Sequence, residues 1–386
     1  MIVVIADDFT GAAEMAGLGL KHGLTVELDI EGVWSTNADL VVIATDTRSK
    51  MMDEALKELH ILSHKIAEQK PSWIYKKIDS VLRGHVIEET QSLVESFNMK
   101  GAIIVPANPA LGRVIIDGIY YIDGIPLQST SFSEDPEFKI SSSNVFDLLS
   151  RNGGTTSFEI KKPDGFEEKQ GIVLGEASTS RDLNTWAEIA GPKWLLGGAA
   201  GFFEALLSFH GMPPVNGNNT FGLPENARTL YLCGSTFQGS RDQVAEAYYS
   251  SPHVCFMPEE IFWKRRGYEN EIQDWIHKVV STIEHYNKAI IAVREPVIPE
   301  PSKSNWIKHN FAVIVKEVFK RTRVEELVIE GGSTASAVLD NMGLTRLVPL
   351  HQFQQGVIRM RVENIAGLNL TLKPGSYNWP DTVWKF

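Results

Sequence analysis

The sequence predicts an α/β fold of two domains, each with a largely parallel sheet flanked by helices. Strand and helix signals alternate along most of the 386 residues. Several strands are short, wholly apolar runs, which is typical of parallel sheets buried on both faces. A segment rich in Pro, Gly and Asn, residues 211–227, interrupts this alternation. We therefore expect an N-terminal domain over 1–210, a linker over 211–227 and a C-terminal domain over 228–386.

The first β-loop-α unit carries two adjacent carboxylates. Ile2–Ile5 has the pattern of a buried strand and Ala12–His22 that of a helix, so Asp7, Asp8 and Thr10 lie in the turn between them. This turn is at the carboxyl end of the strand, where open α/β sheets bind ligands. Adjacent carboxylates repel unless they meet a cation, hydroxyls or helix-end N–H groups. Simple capping of the helix by Asp8 or Thr10 is the alternative interpretation.

Two further N-terminal strands also end in polar clusters. These clusters are Asp46 with Arg48, and Asp79 with Ser80 and Arg83. Parallel strands end at one edge of a sheet, so the three clusters are expected to converge there. The nearby cations suit a carboxylate or phosphate, and the aspartates suit hydroxyl groups; the cations are Arg48, Lys76, Lys77 and Arg83. For any single pair of these charged residues, an ion pair at the protein surface is the favoured interpretation. For three clusters together, a binding site is favoured.

The rest of the sequence continues the alternation of predicted strands and helices and adds two antiparallel strand pairs. Gly101–Val105 is a predicted strand that leads into Pro106–Ala110. Residues 118–126 have the pattern of a hairpin with Gly124 at the turn. Val357–Val362 and residues 368–372 predict a closing antiparallel pair.

Three glycine- and serine-containing turns characterise the C-terminal half. Cys233–Ser240 follows one strand, Glu330–Ser336 follows another and opens a helix, and Lys373–Ser376 adds a cation. Glycine lets backbone N–H groups approach a phosphate, and a helix N-terminus adds a favourable dipole. Helix capping by Ser333 or Thr334 is the simpler alternative. No Walker A loop or dinucleotide fingerprint is present in the sequence.

Composition limits the classes of partner. The net charge is -11, which argues against nucleic acid as the main partner. No apolar run approaches membrane-spanning length, and the N-terminus lacks the basic flank and small-residue cleavage site of a signal peptide. Only Cys233 and Cys255 occur, without the spacing of a zinc site. We therefore expect a cytoplasmic protein without a disulfide framework or membrane contact.

In combination, these motifs resemble the four-carbon acid sugar kinase family. The matching segments are Ala6–Ala12, Thr45–Ser49, Lys77–Gly84, Pro106–Ala110 with Gly112 and Arg113, Gly234 with Ser235, Gly331–Ala335 and Lys373–Ser376. The resemblance implies ATP-dependent phosphorylation of an acid sugar such as threonate, erythronate or an oxo-tetronate. It also implies that the N-terminal domain binds the sugar acid and the C-terminal domain binds ATP, so that turnover requires domain closure.

The resemblance also implies roles for individual residues. Substrate contacts fall on Asp7, Arg48, Lys77 and Ser80, with Arg83 close by. Nucleotide contacts fall on Ser235, Gly332, Ser333, Thr334, Ala335 and Gly375, with Lys373 as an adjacent cation. From the chemistry of phosphoryl transfer, we expect Arg48 and the Lys77 region to hold the substrate carboxylate and Asp79 to be the general base, with Asp8 as the alternative. Asp7 and Asp8 are expected to bind hydroxyls or to assist Mg²⁺ through water, and no residue is assigned as a direct metal ligand.

Other functions remain open from the sequence alone. Asn378 stands where many relatives have glycine, and Ser333 stands where relatives often carry an acidic residue. Both positions are on the nucleotide side, so a sugar-acid sensor without turnover is one alternative. A kinase of another small hydroxy acid, such as a glycerate, is another. The sequence does not decide the oligomeric state, and a homodimer is among the options.

Overall fold

The chain divides into two compact units, Met1–Asn216 and Gly217–Phe386. The computed structural model describes residues 1–32, 34, 37–134, 138–150, 156–215, 222–235, 237–263, 267–294, 301–375 and 377–386. The division falls inside the predicted linker, of which residues 216–221 lie outside the described residues. The linker's two ends belong to different units: Val215 N donates to Lys21 O at 2.8 Å, and Leu223 N donates to Thr382 O at 3.2 Å.

The first unit is a parallel sheet with helices and a small antiparallel sheet. Its strands are β1 (Ile2–Ala6), β2 (Val26–Asp29), β3 (Leu40–Ala44), β4 (Trp73–Lys77), β5 (Gly101–Val105), β6 (Arg113–Ile116), β7 (Ile119–Ile122), β8 (Ile125–Pro126), β9 (Phe158–Lys161), β10 (Gly171–Gly175) and β11 (Trp194–Gly198). Its helices are α1 (Phe9–Lys21), α2 (Met52–Glu68), α3 (Val86–Ser96), α4 (Val145–Leu149), α5 (Ser180–Ile189) and α6 (Ala200–Phe209). The main sheet has the order β2-β3-β1-β4-β11-β5-β10-β9, and every neighbouring pair is parallel.

Burial on both faces explains the apolar strands of this sheet. All five residues of β1 are buried, as are those of β3. The last two residues of β4 point to opposite faces, as successive strand residues do. Lys76 pairs with Glu89 of α3 at 2.5 Å, whereas Lys77 lies 3.6 Å from Glu14 of α1. Helices α1 and α3 therefore cover opposite faces of the sheet.

The predicted hairpin over residues 118–126 is confirmed. β7 and β8 are antiparallel, and Asp123 and Gly124 both have positive φ, 50° and 77°. Two successive positive φ values match the type I′ turn that fits the twist of a two-residue hairpin. The strand β6 extends this small sheet on the other side of β7 and was not predicted.

The second unit has its own mostly parallel sheet. Its strands are β12 (Thr229–Cys233), β13 (Val254–Phe256), β14 (Lys288–Ala292), β15 (Glu326–Glu330), β16 (Arg346–Gln354), β17 (Val357–Val362) and β18 (Asn369–Lys373). Its helices are α7 (Gln238–Ser250), α8 (Glu259–Trp263), α9 (Glu269–Tyr286), α10 (Pro301–Arg321) and α11 (Gly332–Met342). The order is β13-β14-β12-β15-β18-β17-β16, parallel up to β18 and antiparallel beyond it.

The two predicted closing strands, β17 and β18, are antiparallel as expected. Three strands of the two main sheets were not predicted, namely β2, β9 and β16. They are peripheral in their sheets or alternate polar and apolar residues, so their apolar signal is weak. None of the described helices is both long enough and apolar enough to cross a bilayer.

Candidate functional site

The polar clusters that follow β1, β3 and β4 converge around one guanidinium group. Arg48 donates through Nε and Nη2 to the two oxygens of Asp7, at 3.0 and 2.9 Å. Its Nη1 donates to Asp8 Oδ2 at 2.8 Å and lies 3.4 Å from Asp79 Oδ1. β1 is the central neighbour of β3 and β4, so their carboxyl ends meet there. The predicted convergence of the three clusters is therefore present.

Asp8 has two roles in this arrangement. As the N-cap of α1 it accepts a hydrogen bond from Gly11 N at 2.8 Å, and Thr10 Oγ1 donates to its other oxygen at 2.6 Å. Asp8 therefore caps the helix, but capping is not its only role, because the same carboxylate also binds Arg48. Its side chain is 16% exposed, compared with 5% for both Asp7 and Asp79.

The backbone around Arg48 holds its side chain in place. Arg48 N donates to Asp7 O at 3.1 Å. Gly84 lies against Arg48 with φ +83°, and a Cβ at Gly84 would come within 3.1 Å of Arg48 Cγ. A side chain at position 84 would therefore be strained by the positive φ and would press on the Arg48 side chain, which favours glycine there.

Asp79 is enclosed by hydrogen-bond donors. Its Oδ2 accepts from Val81 N, Arg83 N and Arg83 Nε at 3.1, 3.1 and 2.8 Å, and its Oδ1 accepts from Arg83 Nη2 at 2.8 Å. Arg83 is the most exposed of three cations in this region, at 20% compared with 12% for Arg48 and 4% for Lys77.

The three carboxylates differ in proton affinity. Burial raises the pKa of Asp7 above its usual value, although Arg48 opposes this. Burial acts in the same direction on Asp8, but Arg48 and Lys77 outweigh it and lower the pKa of that carboxyl. Burial is again outweighed at Asp79, where Arg83 and Arg48 hold the pKa well below its ordinary range. Asp79 is therefore the carboxylate least able to accept a proton.

Lys77 and Ser80 both make hydrogen bonds within the protein, and Lys77 is buried whereas Ser80 is half-buried. Lys77 Nζ donates to Ile78 O at 2.9 Å and its side chain is 4% exposed. Ser80 Oγ accepts a hydrogen bond from Arg113 Nη1, and Ser80 O accepts one from the hydroxyl of Tyr120. Arg113 is a cation of this site to which the sequence argument gave no role, although Gly112 and Arg113 form one of the matching segments.

A second cluster forms at the carboxyl ends of β12, β15 and β18, which are neighbours in the sheet of the second unit. Ser235 Oγ donates to Gly375 O at 3.0 Å and accepts from Phe237 N at 3.2 Å. Gly331 N donates to Lys373 O at 2.9 Å. The three predicted glycine turns are therefore adjacent.

Helix α11 begins in this second cluster, without a side-chain cap. Its N-cap is Gly331, with φ 89°, and neither Ser333 nor Thr334 caps it. The first N–H groups of a helix have no partner within it, so Gly332, Ser333 and Thr334 present donors at this edge. Ser333 is exposed, whereas Thr334 and Ala335 are buried against the unit.

Lys373, the cation of the third predicted turn, is enclosed by protein groups. Its side chain is fully buried and pairs with Glu330, while Nζ lies 3.2 Å from Ser240 Oγ. The ammonium group also lies 5.0 Å from the centre of the Trp379 ring. In this structure Lys373 therefore binds protein groups.

Asn378 does not need the conformation of a glycine. It is absent from the described non-glycine residues with positive φ. Its side chain lies against α7 instead, since a Cβ on Gly239 would come within 2.4 Å of Asn378 Oδ1.

Two family models match the chain and together cover most of it. A sugar-binding N-terminal domain matches residues 2–206, and a nucleotide-binding C-terminal domain matches residues 230–377. A D-threonate kinase of Salmonella typhimurium is 25% identical over 376 residues, or 89% of this chain and 86% of the relative. A 3-oxo-tetronate kinase of Actinobacillus succinogenes is 24% identical over 415 residues, which cover 99% of this chain and 97% of that protein. The chain belongs to the four-carbon acid sugar kinase family.

Other similarities agree with this family membership. A D-erythronate kinase of Heliobacterium modesticaldum is 25% identical over 285 residues, covering 67% of this chain and 63% of that protein. A crystal structure from Haemophilus influenzae superposes with a TM-score of 0.70 at 21% identity, covering 98% of each chain. A Salmonella typhimurium structure described as a tRNA synthase gives a TM-score of 0.78 at 20% identity, covering 98% of this chain and 96% of that one. At such identities the structures show the fold alone.

Proposed function

We propose that this protein transfers the γ-phosphoryl group of ATP to a hydroxyl of a small acid sugar, most specifically a four-carbon one such as threonate, erythronate or an oxo-tetronate. The observation that carries the proposal is the Arg48 cluster, in which one guanidinium group holds Asp7, Asp8 and Asp79 at a sheet edge. Cations beside carboxylates suit an acceptor that carries both a carboxylate and hydroxyls. The kinase names of the relatives support the same reaction.

The nucleotide belongs, in this proposal, at the edge of the second unit where the three glycine turns meet. Donors at the start of α11 and the dipole of that helix favour phosphate groups. Nothing lies within 4 Å of the position of a Cβ on Gly331, so the approach to the backbone is open there, whereas at Gly375 the Ser235 hydroxyl lies against the turn, 3.2 Å from that position. These features fit the phosphates of ATP.

Mg²⁺ fits the proposal as a companion of ATP. No cluster of three or more acidic, histidine or cysteine side chains able to hold a metal occurs among the residues that the structure describes. Mg²⁺ usually keeps several waters and binds through one or two carboxylates plus substrate phosphates. When bound with ATP it neutralises developing phosphate charge, and Asp8, as the most exposed of the three carboxylates, is suited to assist it through water.

We assign the acceptor's carboxylate to Arg83. It is more exposed than Arg48 and Lys77, and its guanidinium group carries five N–H donors, of which those on Nε and Nη2 also bind Asp79. Arg113 lies nearby through its hydrogen bond to Ser80. In this arrangement Arg48 neutralises the aspartates and orients them.

We assign the orienting carboxylate to Asp8 instead of Asp79. Both carboxylates accept hydrogen bonds on both oxygens, but the side chain of Asp8 is 16% exposed, compared with 5% for Asp79. Phosphoryl transfer has a loose transition state, so its catalyst chiefly orients the hydroxyl and accepts the proton late. The lowered pKa of Asp8 is compatible with that role.

A substrate panel tests the activity. The purified protein, ATP and Mg²⁺ are incubated with aldonates and oxo-acids of three to six carbons, and ADP formation is followed. We expect turnover with one or more four-carbon acids that exceeds the rate of ATP hydrolysis without acceptor. Activity only with a three-carbon acid would favour a glycerate-type kinase. Acid-sugar binding without any ADP formation would favour a sensor.

The Asp8→Asn and Asp79→Asn pair tests the assignment of roles. We expect Asp8→Asn to lose roughly 10²- to 10⁴-fold in kcat, as for removal of a general base, because an amide cannot accept the proton. Asp79→Asn should mainly lower stability. A variant of Asp8 with wild-type kcat would refute the assignment.

A sensor without turnover has little support from this structure. Its two sequence arguments were Asn378 and Ser333. Asn378 has no positive φ to accommodate, and Ser333 is exposed in the first turn of α11 without acting as its cap.

A further inference from the structure

A buried ionic network underlies the three glycine turns of the second unit. It consists of Ser240 in the first turn of α7, Glu330 at the end of β15 and Lys373 at the end of β18. Their exposed fractions are 4%, 1% and 0%. The Lys373 ammonium pairs with Glu330 Oε1, and the Ser240 hydroxyl donates to the same oxygen.

The members of this network lie directly beside the predicted nucleotide turns. Lys373 O accepts from Gly331 N at 2.9 Å, which places the N-cap of α11. Ser240 Oγ lies 3.3 Å from Gly375 O, but its one proton is donated to Glu330, so the hydrogen bond to that carbonyl comes from Ser235 Oγ, at 3.0 Å. We expect a change in the network to disturb these turns, because Glu330 directly precedes Gly331 and Lys373 belongs to the same turn as Gly375.

Stability alone does not account for this network. A buried ion pair loses its hydration, and well-packed apolar side chains of similar volume often stabilise a protein equally well or better. The carboxylate oxygen Oε2 of Glu330 has no hydrogen-bond partner among the described residues, which adds to that cost. The pair lies beneath three turns, which suggests that its role is to fix the positions of those turns.

We propose that Ser240, Glu330 and Lys373 are positioning residues that hold the three glycine turns in the arrangement required to bind the phosphates of ATP. The proposal rests on the proposed function and assigns Lys373 a role without phosphate contact. It predicts that Glu330 and Lys373 act as one unit in nucleotide binding.

A double-mutant cycle on the full-length protein tests this proposal. The variants are Lys373→Met, Glu330→Gln and the double variant, and ADP affinity is measured by calorimetry. We expect each single variant to weaken ADP binding at least about tenfold, and the double variant to be no weaker than the worse single one, since contacting residues are not additive. The KM for the acid sugar should stay near the wild-type value while the KM for ATP rises.

Direct phosphate contact by Lys373 predicts a different pattern. In that case Lys373→Met weakens ADP binding, whereas Glu330→Gln leaves it unchanged or tightens it, because the lysine is released from its partner. That pattern, or additive losses in the double variant, would overturn the proposal.

The same strand provides a matched control. Glu326, at the start of β15, pairs with Arg359 through Nε at 3.0 Å, and Glu326 is as buried as Glu330. This pair lies at the opposite end of β15 from the glycine turns. Arg359→Met should lower the melting temperature but leave ADP affinity unchanged. An equal loss of ADP affinity in this control would mean that the network only stabilises the fold, and would contradict the proposal.

Two further measurements keep the test decisive if a single charged variant does not fold. The double variant is neutral at the buried site, and Ser240→Ala removes only a hydroxyl. We expect both to fold and to bind ADP more weakly than the wild type; wild-type affinity in both would refute the proposal. Failure of the wild type itself to bind ADP would instead refute the proposed function.

Discussion

At the scale of single residues, Arg48 is the centre of the candidate acceptor site. One side chain meets Asp7 through two donors and also contacts Asp8 and Asp79. The carboxylates raise the pKa of this guanidinium group well above its usual value despite its burial, so it stays charged. Removal of Arg48 would leave three buried or half-buried carboxylates close together.

Arg48→Ala should therefore damage stability as well as activity. Breaking a buried ion pair by removing one partner typically costs about 3–5 kcal/mol. We expect a loss of that order in the free energy of unfolding, and a fall in kcat/KM for the acid sugar in any protein that folds. Arg361→Ala is the control, because its pair with Glu363 is exposed and should contribute less than about 1 kcal/mol. Equal stability of the two variants would contradict the central role of Arg48.

Asp79 gives a prediction for pH dependence. Its folded-state pKa lies below the unfolded value of about 3.9, so its stabilising effect is complete above that value and is lost as the pH falls towards the folded pKa. The stability difference between wild type and Asp79→Asn should thus be constant around neutral pH and shrink below about pH 4. Denaturant unfolding of both proteins across this range measures it. A difference that grows on acidification would be inconsistent with the ion pairs at Asp79.

At the scale of secondary-structure elements, glycines determine how closely the segments after the strands approach. Gly84, in the segment between β4 and α3, lies directly against Arg48 of the segment after β3. Gly19 in α1 allows that helix to contact the sheet, since a Cβ there would lie 2.5 Å from a Leu40 methyl group. The first approach lies within the Arg48 cluster, and the second lies at the opposite end of α1 and β3.

Gly84→Ala should impair the acceptor site through two effects. A non-glycine residue at positive φ costs of order 1–3 kcal/mol, and the new Cβ would also push on Arg48. Gly124→Ala has a similar φ of +77° with no atom within 4 Å, so it carries the strain without the collision. We expect a raised KM for the acid sugar in Gly84→Ala only, measured by steady-state kinetics. Identical kinetics in the two variants would exclude contact with Arg48 as the cause.

At the scale of the whole molecule, each unit has an apolar core of its own. One cluster includes Val3, Ile43 and Leu174, and the other includes Tyr231, Val328 and Trp379. Leu223, from the predicted linker, packs against the second of these cores. The C-terminal unit therefore includes more of the chain than 228–386.

A fragment from Gly217 to Phe386 should fold and bind ADP by itself. It retains Leu223 together with the three glycine turns, whereas a fragment beginning at Arg228 loses this apolar contact and should melt at a lower temperature. Calorimetry with ADP and thermal melting measure both effects. A folded fragment without ADP binding, beside a full-length protein that binds, would contradict the assignment of the nucleotide to this unit.

The sequence by itself determined the fold class, the closing antiparallel pair and the convergence of the strand ends. These follow from short-range patterns: apolar runs mark buried strands such as β1 and β3, and the polar residues after them must lie at one edge because the strands are parallel. It could not predict weakly patterned strands such as β9 and β16, whose residues are only partly buried.

Only the tertiary structure decided what each charged side chain does. Asp79 and Lys373 occupy similar positions at strand ends, yet Asp79 is saturated by Arg83 and Lys373 is paired with Glu330. Asp8 keeps the greatest exposure among the three aspartates, and Arg113 joins the site through Ser80. Burial and partner choice arise from contacts between residues far apart in the chain, and they set charge, proton affinity and access in a way that local sequence does not encode.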